Sequence, residues 1–210
     1  PAAPCPYLED RVESKMFTPL VGRNASRLHE ALASSGFRRS QSILYKPACD
    51  DCHACIPVRV RVKDFIATRS LKRIAKRNND LVAQECPPIA TAEQYHLFHH
   101  YQQNRHQESG MSSMDFVEFQ DMVEDTAVPT IMVRFRNRDG RLVATCLTDP
   151  MTDALSLCYS FCDPTEPQRS LGSFMVLWHI QRAAALDFGY VHLGYWIAES
   201  PKMSYKSRFQ

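Results

Sequence analysis

Residues 130–197 hold the pattern that most narrows the fold. Two runs rich in β-branched and apolar residues, TIMVRFRN and RLVATCLTD, meet at Arg138-Asp139-Gly140. An Asp-Gly pair between such runs signals a hairpin, because the tight turn needs positive φ and glycine supplies it without steric cost. A third run, ALSLCYSFCD, follows a second turn at Asp149-Pro150. A long helical stretch then runs from about Ser170 to Phe188, stopped by Gly189, and leads to a last apolar strand, YVHLGYWI. An antiparallel meander, a helix packed across it and one more strand make an α+β domain.

The rest of the chain supplies shorter elements. Residues 24–35 begin with a capping Asn24, carry Leu28, Ala31 and Leu32 on one face, and stop at Gly36. SILYKP and IPVRVRV read as strands flanking a cysteine loop at 47–55. TRSLKRIAKRNND reads as a helix capped by Thr68, with Leu71, Ile74 and Ala75 inward and basic residues elsewhere. Pro87-Pro88 breaks the chain and sets the expected boundary between an N-terminal domain (1–88) and a second domain (89–210). Two helical stretches follow, Thr91 to Gln107 and Met114 to Asp125, separated by Gly110.

The net charge of +2 hides an asymmetry: residues 1–105 hold 16 Lys/Arg against 10 Asp/Glu, residues 106–210 only 9 against 13. The densest stretch, Arg59 to Arg77, carries eight cations against Asp64 alone. Such a split suits contact with a polyanion, although a solvated helix face has the same composition. No apolar run is long enough to span a bilayer. The first residues lack the pattern of a signal peptide, and an initiator Met is absent, so a few leading residues are expected to be missing. Cys86, Cys146, Cys158 and Cys162 sit in apolar or strand-like contexts and read as buried thiols, consistent with a reducing, cytoplasmic compartment.

Four constellations carry candidate chemistry. Cys49, Cys52 and Cys55 stand in one tight loop, with Cys5 or His53 as a fourth ligand, a set suited to zinc or an iron–sulfur cluster. Reduced thiols that hold a loop without metal fit the same spacing. The run Glu166 to Ser173 opens the long helix with Arg169, Ser170 and Gly172, where backbone amides can meet phosphate. Coenzyme A-dependent acetyltransferases carry an Arg/Gln-x-x-Gly-x-Gly/Ala loop at this place. Here Phe174 replaces the last small residue, which argues against coenzyme A. His96, His99, His100 and His106 read as helix histidines, since no Glu follows the first to complete a metalloprotease motif. The tail interleaves Tyr195, Trp196, Lys202, Tyr205 and Lys206, a mixture that stacks bases and holds phosphates but also suits an apolar core segment.

Taken together, CPYL at 5–8, GFRRS at 36–40, YKPACDDCHACIPVRV at 45–60, RSLKR at 69–73, RHQESGM at 105–111, LTD at 147–149, YSFCDP at 159–164, RSLG at 169–172, LGYWI at 193–197 and PKMSYKSRF at 201–209 resemble the arginyl-tRNA–protein transferase family. The resemblance covers essentially the whole chain. It is strongest to the short bacterial branch, the aspartate/glutamate leucyltransferases: Leu8 stands where long eukaryotic members have a second cysteine, and the loop cysteines are spaced rather than adjacent.

The resemblance implies an N-acetyltransferase-like (GNAT) acyl-transfer domain with a smaller cysteine-containing N-terminal α/β domain. It implies transfer of leucine from Leu-tRNA to the α-amine of proteins beginning with Asp or Glu, which creates an N-degron. Arginine as donor, or coenzyme A-dependent N-acetylation, are the alternatives. No cofactor is expected for the transfer itself, and neither membrane nor DNA is an expected partner. The strands YSFCD and LGYWI are expected to splay and form the cleft. Asp163 or Tyr159 is then the expected proton-handling group, without a covalent enzyme intermediate. Arg169, Ser170, Gly172, Tyr195, Trp196, Lys202, Tyr205 and Lys206 are expected to hold the aminoacyl-tRNA end. Arg38 and Arg39 are the candidates for reading the acidic side chain, because guanidinium pairs carboxylate bidentately.

Overall fold

A computed structural model describes residues 3–105, 110–201 and 203–209; His106, most of RHQESGM and Lys202 lie outside these. In chain order the elements are β1 (Ala3–Pro4), β2 (Val12–Glu13), β3 (Lys15–Pro19), α1 (Ala25–Ser34), β4 (Arg38–Ser40), β5 (Ile43–Pro47), β6 (Ile56–Arg61), α2 (Arg69–Arg77), β7 (Val82–Cys86), α3 (Ala92–Arg105), α4 (Phe116–Glu124), β8 (Ile131–Arg136), β9 (Leu142–Pro150), β10 (Ala154–Cys162), α5 (Leu171–Ala185) and β11 (Tyr190–Trp196). A 3-10 turn, Ser204–Phe209, follows β11.

A six-stranded sheet in the order β6-β11-β10-β9-β8-β7 forms the centre, and β3-β5-β4 form a smaller sheet. The strand period of two divides the core. Val133 and Phe135 on β8 face a cluster with Leu71 and Ile74 of α2 and Met175, Leu177 and Ile180 of α5. Met132 faces the other way, toward Phe98 of α3, Phe119 of α4 and Phe161. Leu20, Ala25, Leu44 and Val128 make a separate small core under the N-terminal sheet.

Local signals explain several boundaries. Thr68 accepts from the Leu71 amide to start α2, and Asp115 forms a capping box with Glu118 to start α4. Gly140, at φ +79°, closes the hairpin. Asn24, by contrast, makes no side-chain cap bond. The expected stop at Gly189 also differs: α5 ends at Ala185, and Asp187 takes the left-handed conformation at φ +56°. Gly189 serves close approach instead, because a Cβ there would lie 2.7 Å from an Asp153 carboxylate oxygen.

The sheet runs across the boundary expected at Pro87-Pro88. β6 and β7 both precede it, yet β6 pairs with β11 and β7 with β8, so the N-terminal part supplies both outer strands of the sheet. A double proline interrupts the backbone locally, but open sheet edges still need partners for their amides and carbonyls.

Candidate active site

β10 and β11 run parallel and pair only at Ala154↔Tyr190, Leu155↔Val191 and Ser156↔His192. Beyond that point they separate, β10 continuing on β9 and β11 on β6. Each strand has a register irregularity where the separation begins, at Leu157/Tyr159 and at His192/Gly194. Gly194 has φ +82°, which lets β11 turn away at little steric cost. The expected splay is present.

β4 brings two arginines to this opening, both 6% exposed. Arg39 binds Asp149 through Nε and Nη2, each at 2.6 Å. Asp149 also accepts from Thr130 at 2.8 Å and from the Cys158 thiol at 3.0 Å, and His29 lies 3.6 Å away. Burial works against the Arg39 charge, but the hydrogen bonds to Asp149 outweigh it and its pKa is raised. Burial, then the charge of Asp149, push the Cys158 thiol far up, so this cysteine is a neutral donor.

Arg38 has neutral partners only: Nη1 meets His192 Nδ1 at 3.2 Å, and Nη2 donates to the carbonyls of Val58 and Gly194 at 3.2 Å each. Its Nε is buried without an acceptor among the described residues. Burial pushes its pKa below the usual arginine range. Burial, then the Arg38 charge, push His192 down to about 3, so its Nδ1 accepts.

The two expected proton-handling groups are placed differently. Asp163 accepts from the Thr165 amide and hydroxyl at 2.9 and 2.6 Å and is paired with Arg141. Burial favours its neutral form, but these bonds win and hold it below the usual carboxylate range. Its oxygens are engaged in the turn after β10. Tyr159 stands on the splayed part of β10 and accepts a hydrogen bond from the Gln102 amide nitrogen, so its own hydrogen points elsewhere. Burial pushes its phenol well up, which makes it a donor rather than a base.

Arg169 is enclosed by Asp80, at 2.9 and 3.0 Å, and by Glu166. The hydrogen bonds to Asp80 push its pKa up, so the guanidinium is charged and ion-paired. Ser170 has φ +52° and gives no side-chain cap to the first turn of α5, and the Gly172 amide hydrogen-bonds the Cys162 sulfur. Tyr195 is 6% exposed and donates to the Gly36 carbonyl at 2.7 Å. It joins β11 to the N-terminal unit. Lys206 Nζ donates to the Tyr195 carbonyl at 2.6 Å, and burial, then the Arg38 charge, bring its pKa to about 8. Trp196 and Lys206 share a cavity with Val58, Arg59 and Leu193, and the Trp196 indole nitrogen is unpaired among the described residues. Tyr205 is half-buried with its phenol pushed up by burial. Lys202 lies outside the described residues.

Cys5, Cys49, Cys52 and Cys55 line one cavity together with Tyr7, Tyr45 and Tyr195. Four thiols are a donor set that suits zinc or an iron–sulfur cluster. Cys5 supplies the fourth thiol, and exposed His53 does not line the cavity. Among the described residues, however, no three Cys, His, Asp or Glu stand in a coordinating arrangement. Of the α3 histidines, His99 and His100 face Gln103 and Asn104 one turn on.

Sequence reasoning missed Asp149, Gln102 and His192. Asp149 had a signal: it is the one acidic residue in the run LVATCLTD. A carboxylate in so apolar a strand needs a buried partner.

The family description "Arginine-tRNA-protein transferase, N terminus" matches residues 3–73, and its C-terminal counterpart matches residues 93–210. An aspartate/glutamate leucyltransferase of Paramagnetospirillum magneticum is 50% identical over 207 residues, covering 99% of this chain and 85% of the relative. One of Parvibaculum lavamentivorans is 52% identical, covering 99% and 86%. Among solved structures, L-PGS from Bacillus licheniformis aligns with TM-score 0.55 at 14% identity, covering 86% of this chain and 54% of that one. FemX aligns with TM-score 0.55 at 8% identity, covering 94% and 68%. At such identities the structural likeness speaks for the fold alone.

Proposed function

This chain belongs to the arginine-tRNA–protein transferase family, and from that premise we propose that it moves leucine from leucyl-tRNA to the α-amine of proteins beginning with Asp or Glu. It is an aminoacyltransferase on a GNAT-like fold. The observation that carries the reading is the identity of about half of all positions, over nearly the whole chain, with aspartate/glutamate leucyltransferases.

The chemistry asks little of the protein beyond placement. The donor ester is already activated, and an α-amine with a pKa of roughly 8 is partly free near neutrality. The amine nitrogen attacks the ester carbonyl, the bond to the tRNA ribose oxygen breaks, and that oxygen takes up the proton the amine loses. Positioning and oxyanion stabilisation are the main tasks. In this reading the Tyr159 hydroxyl donates to the developing oxyanion. The α5 amides near Ser170 and Gly172 meet the terminal phosphate of the donor, and Trp196, Lys202, Tyr205 and Lys206 hold the adenosine end. Arg38 reads the acidic side chain, supported by its burial without a carboxylate partner among the described residues. Arg39 positions β4. Cys5, Cys49, Cys52 and Cys55 are the residues that would hold zinc or an iron–sulfur cluster, which would fix the loop beside Tyr195; no step of transfer runs through it.

A transfer assay with an Asp-starting peptide tests the function. Incorporation from leucyl-tRNA is expected, with little from arginyl-tRNA and none from acetyl-coenzyme A. Preference for arginyl-tRNA would move the chain to the other donor, and acetylation would overturn the reading.

A further inference from the structure

α2 packs one side against α5 and leaves the other to solvent. At 100° per residue, Arg69, Lys72, Arg73 and Lys76 fall within an arc of about 100°, opposite Leu71, Ile74 and Asn78. All four cations are exposed. None has an ion-pair partner among the described residues: the nearest acidic groups in sequence are engaged elsewhere, Asp64 with Arg61 at 2.9 Å and Asp80 with Arg169. Charges in a functionally silent helix face are usually interleaved with opposite ones. This face carries one sign only.

Its direction matters as much as its charge. The C-terminal end of α2 is tied to the segment that opens α5. Asn78 Nδ2 donates to the Arg169 carbonyl at 2.8 Å, and Arg77 donates to the Gln168 carbonyl. The row of cations therefore ends beside the N-terminus of α5, where the donor's terminal phosphate lies in the function proposed above. From Arg69 to Lys76, at 1.5 Å rise per residue, the row is roughly 10 Å long, enough to meet neighbouring phosphates along one strand.

We propose that the exposed face of α2 docks the phosphate backbone of the donor tRNA's acceptor stem, holding the body of the tRNA while its 3′ end reaches the splayed strands. Duplex RNA suits this face better than a protein partner, because the face offers repeated cations and no apolar centre, and A-form RNA is held largely through its backbone. The docking involves no base readout, so it is blind to which tRNA is bound and contributes affinity alone.

The proposal rests on leucyl-tRNA being the donor, and two donors separate the two ideas. One is full leucyl-tRNA; the other is a leucylated 3′-terminal trinucleotide, which lacks the stem. If the wild-type protein transfers leucine from neither, the proposed function fails first. In the combined variant Arg69→Gln, Lys72→Gln, Arg73→Gln, Lys76→Gln, the KM for leucyl-tRNA should rise at least about tenfold with kcat within about twofold. The dependence of log(kcat/KM) on log salt should flatten by about three, close to one for each phosphate no longer neutralised. Transfer from the trinucleotide should be unchanged. The paired variants Arg69→Gln/Lys72→Gln and Arg73→Gln/Lys76→Gln should each show part of the effect. Wild-type KM and salt slope in the combined variant, or equal losses on both donors in the paired variants, overturn the proposal.

Discussion

Arg38 and Arg39 are neighbours on β4, yet their charges meet opposite surroundings. Removing Arg39 leaves Asp149 buried and unpaired, a change that typically costs about 3–5 kcal/mol. Arg39→Met is therefore expected to lower the free energy of unfolding, measured in urea, by roughly that amount. Arg38→Met removes a cation that no anion balances, so its stability loss should be about 1–2 kcal/mol, the worth of a few hydrogen bonds to neutral groups. Its main effect should be on selectivity: the ratio of kcat/KM for Asp-starting over Asn-starting peptides should fall at least tenfold. An unchanged ratio would remove Arg38 from substrate recognition. A second residue-scale expectation concerns acid. His179 is fully buried; its Nδ1 donates to the Met175 carbonyl at 2.7 Å and its Nε2 accepts from Thr148 at 2.9 Å. Burial brings its pKa down to about 4. Below pH 6.5 the unfolded chain takes up this proton and the folded one does not, so stability falls as pH drops from 6.5 to about 4, by roughly 3 kcal/mol. His179→Gln should flatten that part of the stability–pH curve; an unaltered slope would assign the acid loss to other groups.

At the scale of elements, the legible parts of the fold were those with a local cause. α2 and α4 have caps in their sequences, and the β8–β9 hairpin has its glycine. β4 and β7 had no such signal. Arg38-Arg39-Ser40 reads as surface, and it becomes a buried strand only because Asp149, more than a hundred residues away, meets Arg39. VAQEC alternates weakly and is a strand because β8 has an edge to fill. The candidate site divides in the same way. The cysteine loop and the splayed strands could be named from sequence and resemblance, whereas the difference between Arg38 and Arg39, and the enclosure of Arg169, depend on partners that only folding brings near. One element-scale prediction concerns Gly194. Its φ of +82° makes Gly194→Ala unfavourable, although a Cβ there would meet only ordinary contact with the Lys206 ammonium at 3.5 Å. A stability loss of about 1–2 kcal/mol is expected, since left-handed backbone penalises a Cβ. A larger fall in kcat should accompany it, because β11 departs from β10 at this residue. Wild-type kcat in a stable variant would detach the bend from catalysis.

Across the whole molecule, charge, cleft and cysteine loop fall into one order. The basic face of α2 leads to the start of α5, α5 to the splayed strands, and the splay to β4 and the cysteine cavity. Metal analysis of anaerobically purified protein should find zinc or iron in proportion to protein, lost when Cys52 and Cys55 are both changed to Ser; metal-free wild type would leave the thiols as loop packing alone. The two sheet edges have a further consequence. A chain severed at Pro87-Pro88 yields a C-terminal piece whose β8 and β11 each lack a neighbour, and an N-terminal piece whose β6 and β7 have no sheet to join. Each piece thus holds strands that complete the sheet of the other. Produced together, they are expected to restore leucyl transfer that neither piece gives alone, a split enzyme switched on by reassembly.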